Sequence, residues 1–548
     1  MKSFLAVAAV IAFAAPAGAY YHYIHYASRN APYTPIQEKF DLNALPNKTV
    51  TVFVSDSGPT ALLPNDSFAS VLSQLRQAAL AWNSVDSSDL RVAFGGLIQS
   101  NSVPNNPGVQ VIFGELAPGL LALTTPIAAP APSFGPNGQL FPLQRSIITM
   151  RRDVTVPPGP SYGSVNTTTG QLDGYFTTCV HELGHALGLQ HTFTSSAMTV
   201  AVNRNINRSR PIDADDIAGL SLLYPKSTYL GSVGTITGRV TANGAPVPLA
   251  SVVALRPAGP AISTLSDPDG RYRLDGLPPD TYYVYAHPVP PGADIRLPVD
   301  FNGQSFAAGS AFSTVFFPGT RDITQFAPIN VSRGQVVAGI DFAVTPQASV
   351  PVYDGAAYSY YGPAQTAVKP AFANSTNAVV RIAFNASPAT PVPVSAQVLG
   401  VDPNVGLLTY GTPVNLALDV HFPLGAGTGP RHLLLNLGND LYVLPSALNL
   451  VQKQPPQNVG VVPASDGNAL VSGQYLGADL AYDKLLDKLA DHKFAGVSAD
   501  LRGNILDYYK ERKPPVLPAT KKAAEAWAKV LEERAQLEQL QPEVATQP

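Results

Sequence analysis

The stretch His181-Glu182-Leu183-Gly184-His185-Ala186-Leu187-Gly188-Leu189-Gln190-His191 gathers three imidazoles and a carboxylate in a chain with 9 histidines. In an α-helix His181 and His185 lie on one face, about 40° and about 6 Å apart. His191 would lie about 9 Å further along the axis, so the helix must end before it. Gly188 permits this ending, because a residue without a Cβ accepts the left-handed backbone that reverses the chain.

Three neutral histidines at these spacings predict a zinc ion whose fourth position is open to water, as in catalytic rather than structural sites. Glu182 neighbours the first ligand but points off the ligand face, where its carboxylate could accept a proton from that water. An HExxH segment alone also occurs by chance in structural helices. The added Gly188 and His191 favour the metal site, with metal ligands His181, His185 and His191 and the catalytic base Glu182.

These residues resemble the signature of the metzincin metallopeptidases, HExxHxxGxxH followed by a methionine-containing turn. Met198 stands where that turn is expected, in a chain with 3 methionines. Thr192 after the third histidine and the segment 213–224 resemble the matrixins within this clan, whereas the lack of a tyrosine soon after Met198 departs from the astacins and serralysins. The resemblance covers residues 28–227. It implies an α+β domain that hydrolyses peptide bonds of proteins, with Gly188 and Met198 as structural support of the site.

The resemblance also bears on further metal ions. Where the edge strand of the family supplies a histidine to a structural zinc, this chain has Leu123, so we expect one zinc ion, the catalytic one. Calcium binding stays open, because carboxylates and carbonyls would be sufficient ligands.

The start of the chain predicts export. Lys2, the apolar run 4–15 and small residues before Ala19 are typical of a secretory signal peptide at residues 1–19. The run is too short for a transmembrane helix, and no later stretch reaches about 18 apolar residues, so we predict no integral membrane segment. A net charge of −3 predicts no nucleic-acid partner, and the single cysteine, Cys179, excludes an intrachain disulfide.

The predicted peptidase domain, residues 20–227, alternates strands and helices. Apolar spacing predicts a helix over 66–82, with Asn65 or Asp66 as N-cap, and an active-site helix over about 173–187. Strands are predicted at 48–55, 90–94, 109–113 and 146–151. Residues 119–126 stand where metzincins have the edge strand to which substrate adds by main-chain hydrogen bonds. The tyrosine-rich residues 20–27 predict an arm packed on the domain, with metal binding by His22 and His25 as the less favoured alternative.

After Pro225 short strands with frequent turn signals predict β-sandwiches. Residues 231–346 resemble a carboxypeptidase regulatory-like, transthyretin-like domain, in which Asn243-Gly244 forms a type I′ turn. Residues 350–452 resemble an immunoglobulin-like IPT/TIG domain, and residues 470–548 predict a charged helical C-terminal region. The fold class is therefore multidomain: an α+β metzincin-like catalytic domain, two all-β sandwich domains and a C-terminal helical segment.

Two functions follow from these features. The first is a secreted, extracellular zinc endopeptidase acting on protein or peptide substrates. The second is an extracellular binding or adhesion protein whose β-domains hold a matrix or surface ligand and whose peptidase domain is secondary. The intact Glu182 favours the first, because a decayed enzyme need not keep its general base. The boundary after Pro225 also predicts that residues 20–227 fold and cleave without the rest of the chain.

Overall fold

The structure is a computed structural model of the chain. It describes residues 21–62, 67–99, 102–104, 107–117, 120–135, 138–155, 174–199, 211–289, 293–350, 353–359, 370–372, 378–386, 395–399, 404–409, 415–422 and 429–451. The predicted signal peptide and the predicted helical region 470–548 lie outside these residues. Within the described part of the chain, no helix combines the length and the apolar character needed to cross a membrane.

The amino-terminal unit, described within residues 21–232, combines one large sheet with helices. Its strands are β1 (Ile24–Tyr26), β2 (Pro35–Lys39), β3 (Thr49–Ser55), β4 (Arg91–Ile98), β5 (Gly108–Gly114), β6 (Ala122–Ala128), β7 (Ser133–Gly135) and β8 (Gly138–Arg151). Its helices are α1 (Phe68–Asn83), α2 (Gly174–Ala186), α3 (Ala214–Leu223) and the short α4 (Tyr229–Ser232). Each strand and helix expected from the sequence is present, whereas β1, β2 and the hairpin of β7 with the first part of β8 were not expected.

The order of the strands places β6 at an edge. Strands β4, β3, β5 and β8 are neighbours in that order and run parallel, and β6 pairs antiparallel with the far side of β8. Parallel strands need crossover connections, and α1 lies in the connection between β3 and β4. The edge strand lies beside α2, which carries the first two histidines.

The helices are anchored by buried side chains and by caps. Ser67 caps α1, its hydroxyl accepting from the Ser70 N–H, so the expected caps Asn65 and Asp66 are wrong. The Trp82 indole N–H at the end of α1 donates to the Val180 carbonyl of α2 at 2.9 Å, which ties the two helices together.

The middle unit, residues 234–344, is a sandwich of two sheets. Its strands are β9 (Gly234–Ala242), β10 (Ala245–Pro246), β11 (Ser251–Leu255), β12 (Ala261–Leu265), β13 (Arg271–Leu277), β14 (Asp280–His287), β15 (Val299–Asp300), β16 (Val315–Phe316), β17 (Ile329–Val331), β18 (Val336–Val337) and β19 (Phe342–Val344). One sheet is built around β9 and the other around β11 and β14, and β15 belongs to neither. Both Asn243 and Gly244 have positive φ, as the expected type I′ turn requires.

The third unit, described within residues 353–451, contains two four-stranded sheets. Its strands are β20 (Tyr353–Ser359), β21 (Pro370–Phe372), β22 (Ala378–Ala386), β23 (Ser395–Leu399), β24 (Asn404–Thr409), β25 (Asn415–Phe422), β26 (Gly429–Asn436) and β27 (Leu441–Val451). The sheets have the orders β20-β22-β25-β24 and β21-β27-β26-β23. The fold is therefore a mixed one, with many sheets and few helices among the described residues, and the IPT/TIG resemblance stays a prediction.

Contacts cross the boundary predicted after residue 227. The β1 strand of the amino-terminal arm pairs in parallel with β15 of the middle unit, through His25 opposite Val299 and Tyr26 opposite Asp300. The buried hydroxyl of Tyr21 donates to Ser251 on β11 at 2.5 Å. A fragment of residues 20–227 would expose the groups that make these contacts, and the expectation that it folds and cleaves by itself stays a prediction.

Candidate metal centre

The first two histidines lie where the helix repeat predicts. His181 and His185 are 3 % and 8 % exposed on α2, which ends at Ala186. Gly188 then has a φ of 107°, and a Cβ there would lie 2.8 Å from the Glu38 carbonyl oxygen. The chain turns back at this glycine, and His191 returns to the same place as the other two histidines.

The three imidazoles point one nitrogen each at a common centre. The Nε2 atoms of His181, His185 and His191 are 3.0 to 3.2 Å from one another. Each Nδ1 lies 2.7 to 3.0 Å from a backbone carbonyl oxygen, which can only accept, so each Nδ1 carries the proton. The acceptors are the carbonyls of Ala197, Leu189 and Asp294.

This donor set fits a zinc ion. Protonation at Nδ1 leaves a lone pair on each Nε2, and three lone pairs at these separations repel one another unless a cation lies between them. Tetrahedral ligands about 2.1 Å from one ion lie about 3.4 Å apart, close to the observed spacing. His181, His185 and His191 together could therefore hold one metal ion.

Met198 packs against the helix that carries the first two histidines. It is fully buried, and a Cβ on Gly184 of α2 would collide with its sulfur, so the side chain packs directly on the helix between the first two histidines. The preceding residue, Ala197, accepts the bond from His181 Nδ1 at 2.7 Å. The turn that carries Met198 therefore orients the imidazole of His181 and also packs against α2, the helix that carries His181 and His185.

Asp216 holds this turn in place from α3. Its carboxylate accepts from the backbone N–H groups of Ala197 and Met198, at 2.8 and 3.2 Å, and from that of Asp213 at the start of its own helix. Burial raises the pKa of Asp216 to about 6, opposed by the hydrogen bonds from the backbone. A chain of contacts thus runs from α3 through the turn to His181.

Glu182 lies at the edge strand. It is 6 % exposed, and its Oε2 accepts a hydrogen bond of 2.6 Å from the hydroxyl of Thr124 on β6. The same hydroxyl lies 3.2 Å from the Glu182 carbonyl oxygen. The carboxylate is therefore held between the helix of the histidines and the strand expected to bind substrate.

The aromatic arm packs on the amino-terminal unit as expected. His22 Nε2 is 2.9 Å from the Gly219 carbonyl oxygen, and burial lowers the pKa of His22 to about 4. His25 is bound to Glu38 at 2.7 Å, so the structure places neither histidine with the three of the metal centre. Tyr23 does approach it, because its hydroxyl lies 3.4 Å from His185 Nδ1. Cys179 is buried on α2, and Leu123 is 49 % exposed on β6.

Sequence reasoning missed several residues that shape the site. The segment 213–224 resembles the matrixins in sequence, but the support that Asp216 gives to the turn that carries Met198 was not predicted. Two adjacent aspartates in the first turn of an otherwise apolar helix were the available signal. The contacts of Thr124 and Asp294 had no local signal, because each depends on a segment distant in sequence.

Comparison with known families assigns a class to the metal centre. Residues 161–225 match the model of the matrixin family, and residues 235–289 match that of the carboxypeptidase regulatory-like domain. Both resemblances inferred from the sequence, and their order, are confirmed. The matrixin match supports a metallopeptidase, a class that uses zinc and acts on proteins, and it contains all three histidines and Glu182.

Similarities over longer stretches are weak. No curated protein matches the chain. The Bacillus anthracis TIE protein is 8 % identical with a TM-score of 0.14, over 40 % of this chain and 51 % of that one. The Bacillus cereus major pilin subunit BcpA is 12 % identical with a TM-score of 0.13, over 40 % and 69 %. Fervidolysin from Fervidobacterium pennivorans, a keratinolytic enzyme related to subtilisin, is 17 % identical with a TM-score of 0.14, over 42 % and 33 %. The chain thus spans about half of the first of these.

Proposed function

We propose that the chain is a secreted zinc-dependent endopeptidase, with a metzincin-type catalytic domain resembling the matrixins. The observation that carries the proposal is the convergence of three Nε2 atoms whose Nδ1 atoms are all bound to backbone carbonyls. Glu182 lies on the same helix, between the first two ligands in sequence. We propose one catalytic zinc per chain, with Gly188 and Met198 as structural support.

The chemistry divides between the metal and Glu182. When bound, zinc would polarise the scissile carbonyl and lower the pKa of an attacking water from about 15.7 to about 7. The Glu182 carboxylate accepts the proton that the water loses as its oxygen bonds to the carbonyl carbon. It then gives this proton to the amine nitrogen as the peptide bond breaks, so that no net proton is gained or lost by the carboxylate.

The geometry of β6 provides a binding edge for an extended peptide. The Arg151 N–H donates to the Leu121 carbonyl, so the backbone N–H and C=O groups of Leu121 face β8. Along an antiparallel strand these groups face the neighbouring strand and the open edge at alternate residues. Ala122 and Thr124 therefore turn their N–H and C=O outward, whereas Pro126 offers only a carbonyl. A substrate strand would pair with Ala122 and Thr124 and lose one hydrogen bond at Pro126.

The test separates metal binding from catalysis. Glu182→Gln removes the base but keeps three imidazoles, so we expect zinc content to persist while hydrolysis falls about 10²- to 10⁴-fold. His185→Ala should lose both zinc and activity. The measurements are zinc per chain by elemental analysis and cleavage of a peptide library by the full-length protein.

Two results would count against the proposal. Cleavage by Glu182→Gln at the wild-type rate would refute the role of the carboxylate. Wild-type protein that holds zinc yet cleaves no member of the library would favour the second function, in which the β-units bind an extracellular ligand.

A further inference from the structure

The three Nδ1 atoms of the metal centre differ in the origin of their acceptors. Those of His181 and His185 are bound to carbonyls of the amino-terminal unit. His191 Nδ1 instead lies 3.0 Å from the carbonyl oxygen of Asp294, which belongs to the middle unit. One ligand of the metal is therefore oriented by a different unit of the chain.

Gln190, the neighbour of His191, clamps the segment that supplies this carbonyl. Its side-chain Oε1 accepts from the Arg296 backbone N–H at 2.7 Å, and its Nε2 donates to the Arg296 carbonyl at 3.1 Å. The same Nε2 donates to the His22 carbonyl at 2.8 Å, and Gln190 is only 4 % exposed. The amide thus imitates a strand partner for Arg296, two residues after Asp294.

A second clamp uses the side chain of Arg296. Its guanidinium makes two hydrogen bonds to the Glu38 carboxylate, at 2.7 and 3.0 Å. Glu38 is 1 % exposed and also binds His25, so it is a fixed partner. A bidentate arginine–carboxylate pair adds directional as well as electrostatic restraint.

The rest of the interface keeps the middle unit docked. Asp215 of α3 is fully buried and accepts from the backbone N–H and the hydroxyl of Ser263, at 2.9 and 2.8 Å, and from Thr194. The ladder between β1 and β15 begins three residues after Arg296. The segment 293–300 is thus held at both ends.

We propose that the middle unit is a working part of the metal centre: the Asp294 carbonyl fixes the tautomer and orientation of His191, and docking of the unit thereby raises zinc affinity. This inference rests on the proposed function. The physical reason is that an imidazole binds zinc through Nε2 only while Nδ1 keeps its proton, and a fixed carbonyl favours that tautomer. Asp294 is a positioning residue and does not touch the reacting atoms.

The backbone of Asp294 carries the effect, and its carboxylate does not. The residue is exposed, and its φ of 47° lies in the left-handed region, which aspartate and asparagine tolerate better than most side chains. Asp294→Asn should therefore keep both the backbone conformation and the carbonyl.

The test measures zinc affinity of the full-length protein by competition with a chromophoric chelator. Gln190→Leu removes both hydrogen bonds to Arg296, and Arg296→Met removes the ion pair but keeps the apolar stem. Loss of such outer contacts typically costs about 10- to 100-fold in metal affinity, so we expect the zinc Kd to rise by that factor. The visible spectrum of the cobalt-substituted variants should shift as well, because the position of one ligand changes.

Two matched variants should hold zinc within about twofold of wild type. Asp294→Asn tests the carboxylate. Arg239→Met removes a different arginine–carboxylate pair, that of Arg239 with Asp269, which lies within the middle unit and is remote in sequence from the segment 293–300. Circular dichroism spectra establish that each variant is folded. If Gln190→Leu does not fold, the zinc Kd of Arg296→Met alone tests the proposal.

Folded Arg296→Met with the wild-type zinc Kd and cobalt spectrum would overturn the inference. So would a loss in Asp294→Asn as large as that in Arg296→Met, because the carboxylate would then be the group that matters. Wild-type protein that binds zinc but cleaves no peptide would refute the proposed function and leave the affinity result standing. Wild-type protein that binds no zinc would refute both.

Discussion

At the scale of single residues, Thr124 holds the carboxylate of Glu182, the proposed catalytic base. Its hydroxyl donates to Glu182 Oε2, while its outward backbone groups lie on the edge that would bind substrate. A hydrogen bond to a charged group contributes about 1.5 to 3 kcal/mol, enough to hold one rotamer of an otherwise free side chain. In the proposed function, Thr124 would thus link peptide binding to the placement of the base.

Thr124→Val keeps the shape of the side chain and removes the donor, so we expect kcat to fall roughly tenfold with little change in KM. Thr124→Ser restores the hydroxyl and should recover most of the rate. Thr125→Val, on the exposed face of the same strand, is the control. A rise in KM with unchanged kcat in Thr124→Val would instead assign Thr124 to substrate binding alone.

At the scale of elements, helix α3 supports the candidate metal centre without contributing a residue to it. Asp216 in the first turn of α3 satisfies N–H groups of the turn that carries Met198, and that turn binds His181. The helix therefore positions His181, a proposed metal ligand, through the turn that lies between them. Its position also depends on Tyr224, just after the helix, whose hydroxyl donates to the Leu187 carbonyl at the end of α2.

Asp216→Ala leaves buried N–H groups without an acceptor, each at a cost of about 1 to 3 kcal/mol, so we expect the free energy of unfolding to fall by at least about 2 kcal/mol. Urea denaturation followed by circular dichroism measures the change. Ile217→Ala, on the exposed side of the same helix, should cost far less. Equal losses in the two variants would show that only the helix, and not the turn, depends on Asp216.

At the scale of the whole molecule, the units are joined by buried polar and apolar contacts. The middle and third units share an apolar cluster that includes Leu255, Phe316 and Leu434. His432 on β26 is buried there, with its Nε2 2.8 Å from the Arg256 carbonyl oxygen. On the other side, Asp215 is buried between the amino-terminal and middle units. The connection between the first two units is itself partly exposed, with Leu230 at 55 % exposure, so these buried contacts are what join the two units.

Asp215 predicts how stability depends on pH. Burial raises its pKa from 3.8 to about 7, although hydrogen bonds from Thr194 and Ser263 oppose the change. Because the folded protein binds this proton more tightly than the unfolded chain, the free energy of unfolding should decrease as pH rises from about 4 to about 7. Asp215→Asn should remove the share of this dependence that Asp215 contributes and leave that of Asp216, whose pKa is also raised, and urea denaturation across that range would measure the difference. A difference between variant and wild type that does not change with pH would contradict the expectation.

The sequence by itself determined the local parts of the site. The repeat of the α-helix places His181 and His185 on one face, and Gly188 alone accepts the backbone that returns His191 to them. These relations involve residues close in sequence, so spacing and residue type suffice. The same holds for the predicted strands and helices of the amino-terminal unit, whose apolar periodicity reflects one buried face, and for the turn at Asn243-Gly244.

Only the tertiary structure decided which distant groups complete the site. Thr124 meets Glu182 because β6 pairs with β8 beside α2, and Asp294 meets His191 because the middle unit docks on the amino-terminal arm. Each contact depends on packing between segments far apart in the chain, and a hydroxyl or a backbone carbonyl leaves no pattern in the sequence. The cap of α1 differs for a related reason: Ser67, Asp66 and Asn65 are all good N-caps, and packing of the apolar face selects where the helix begins.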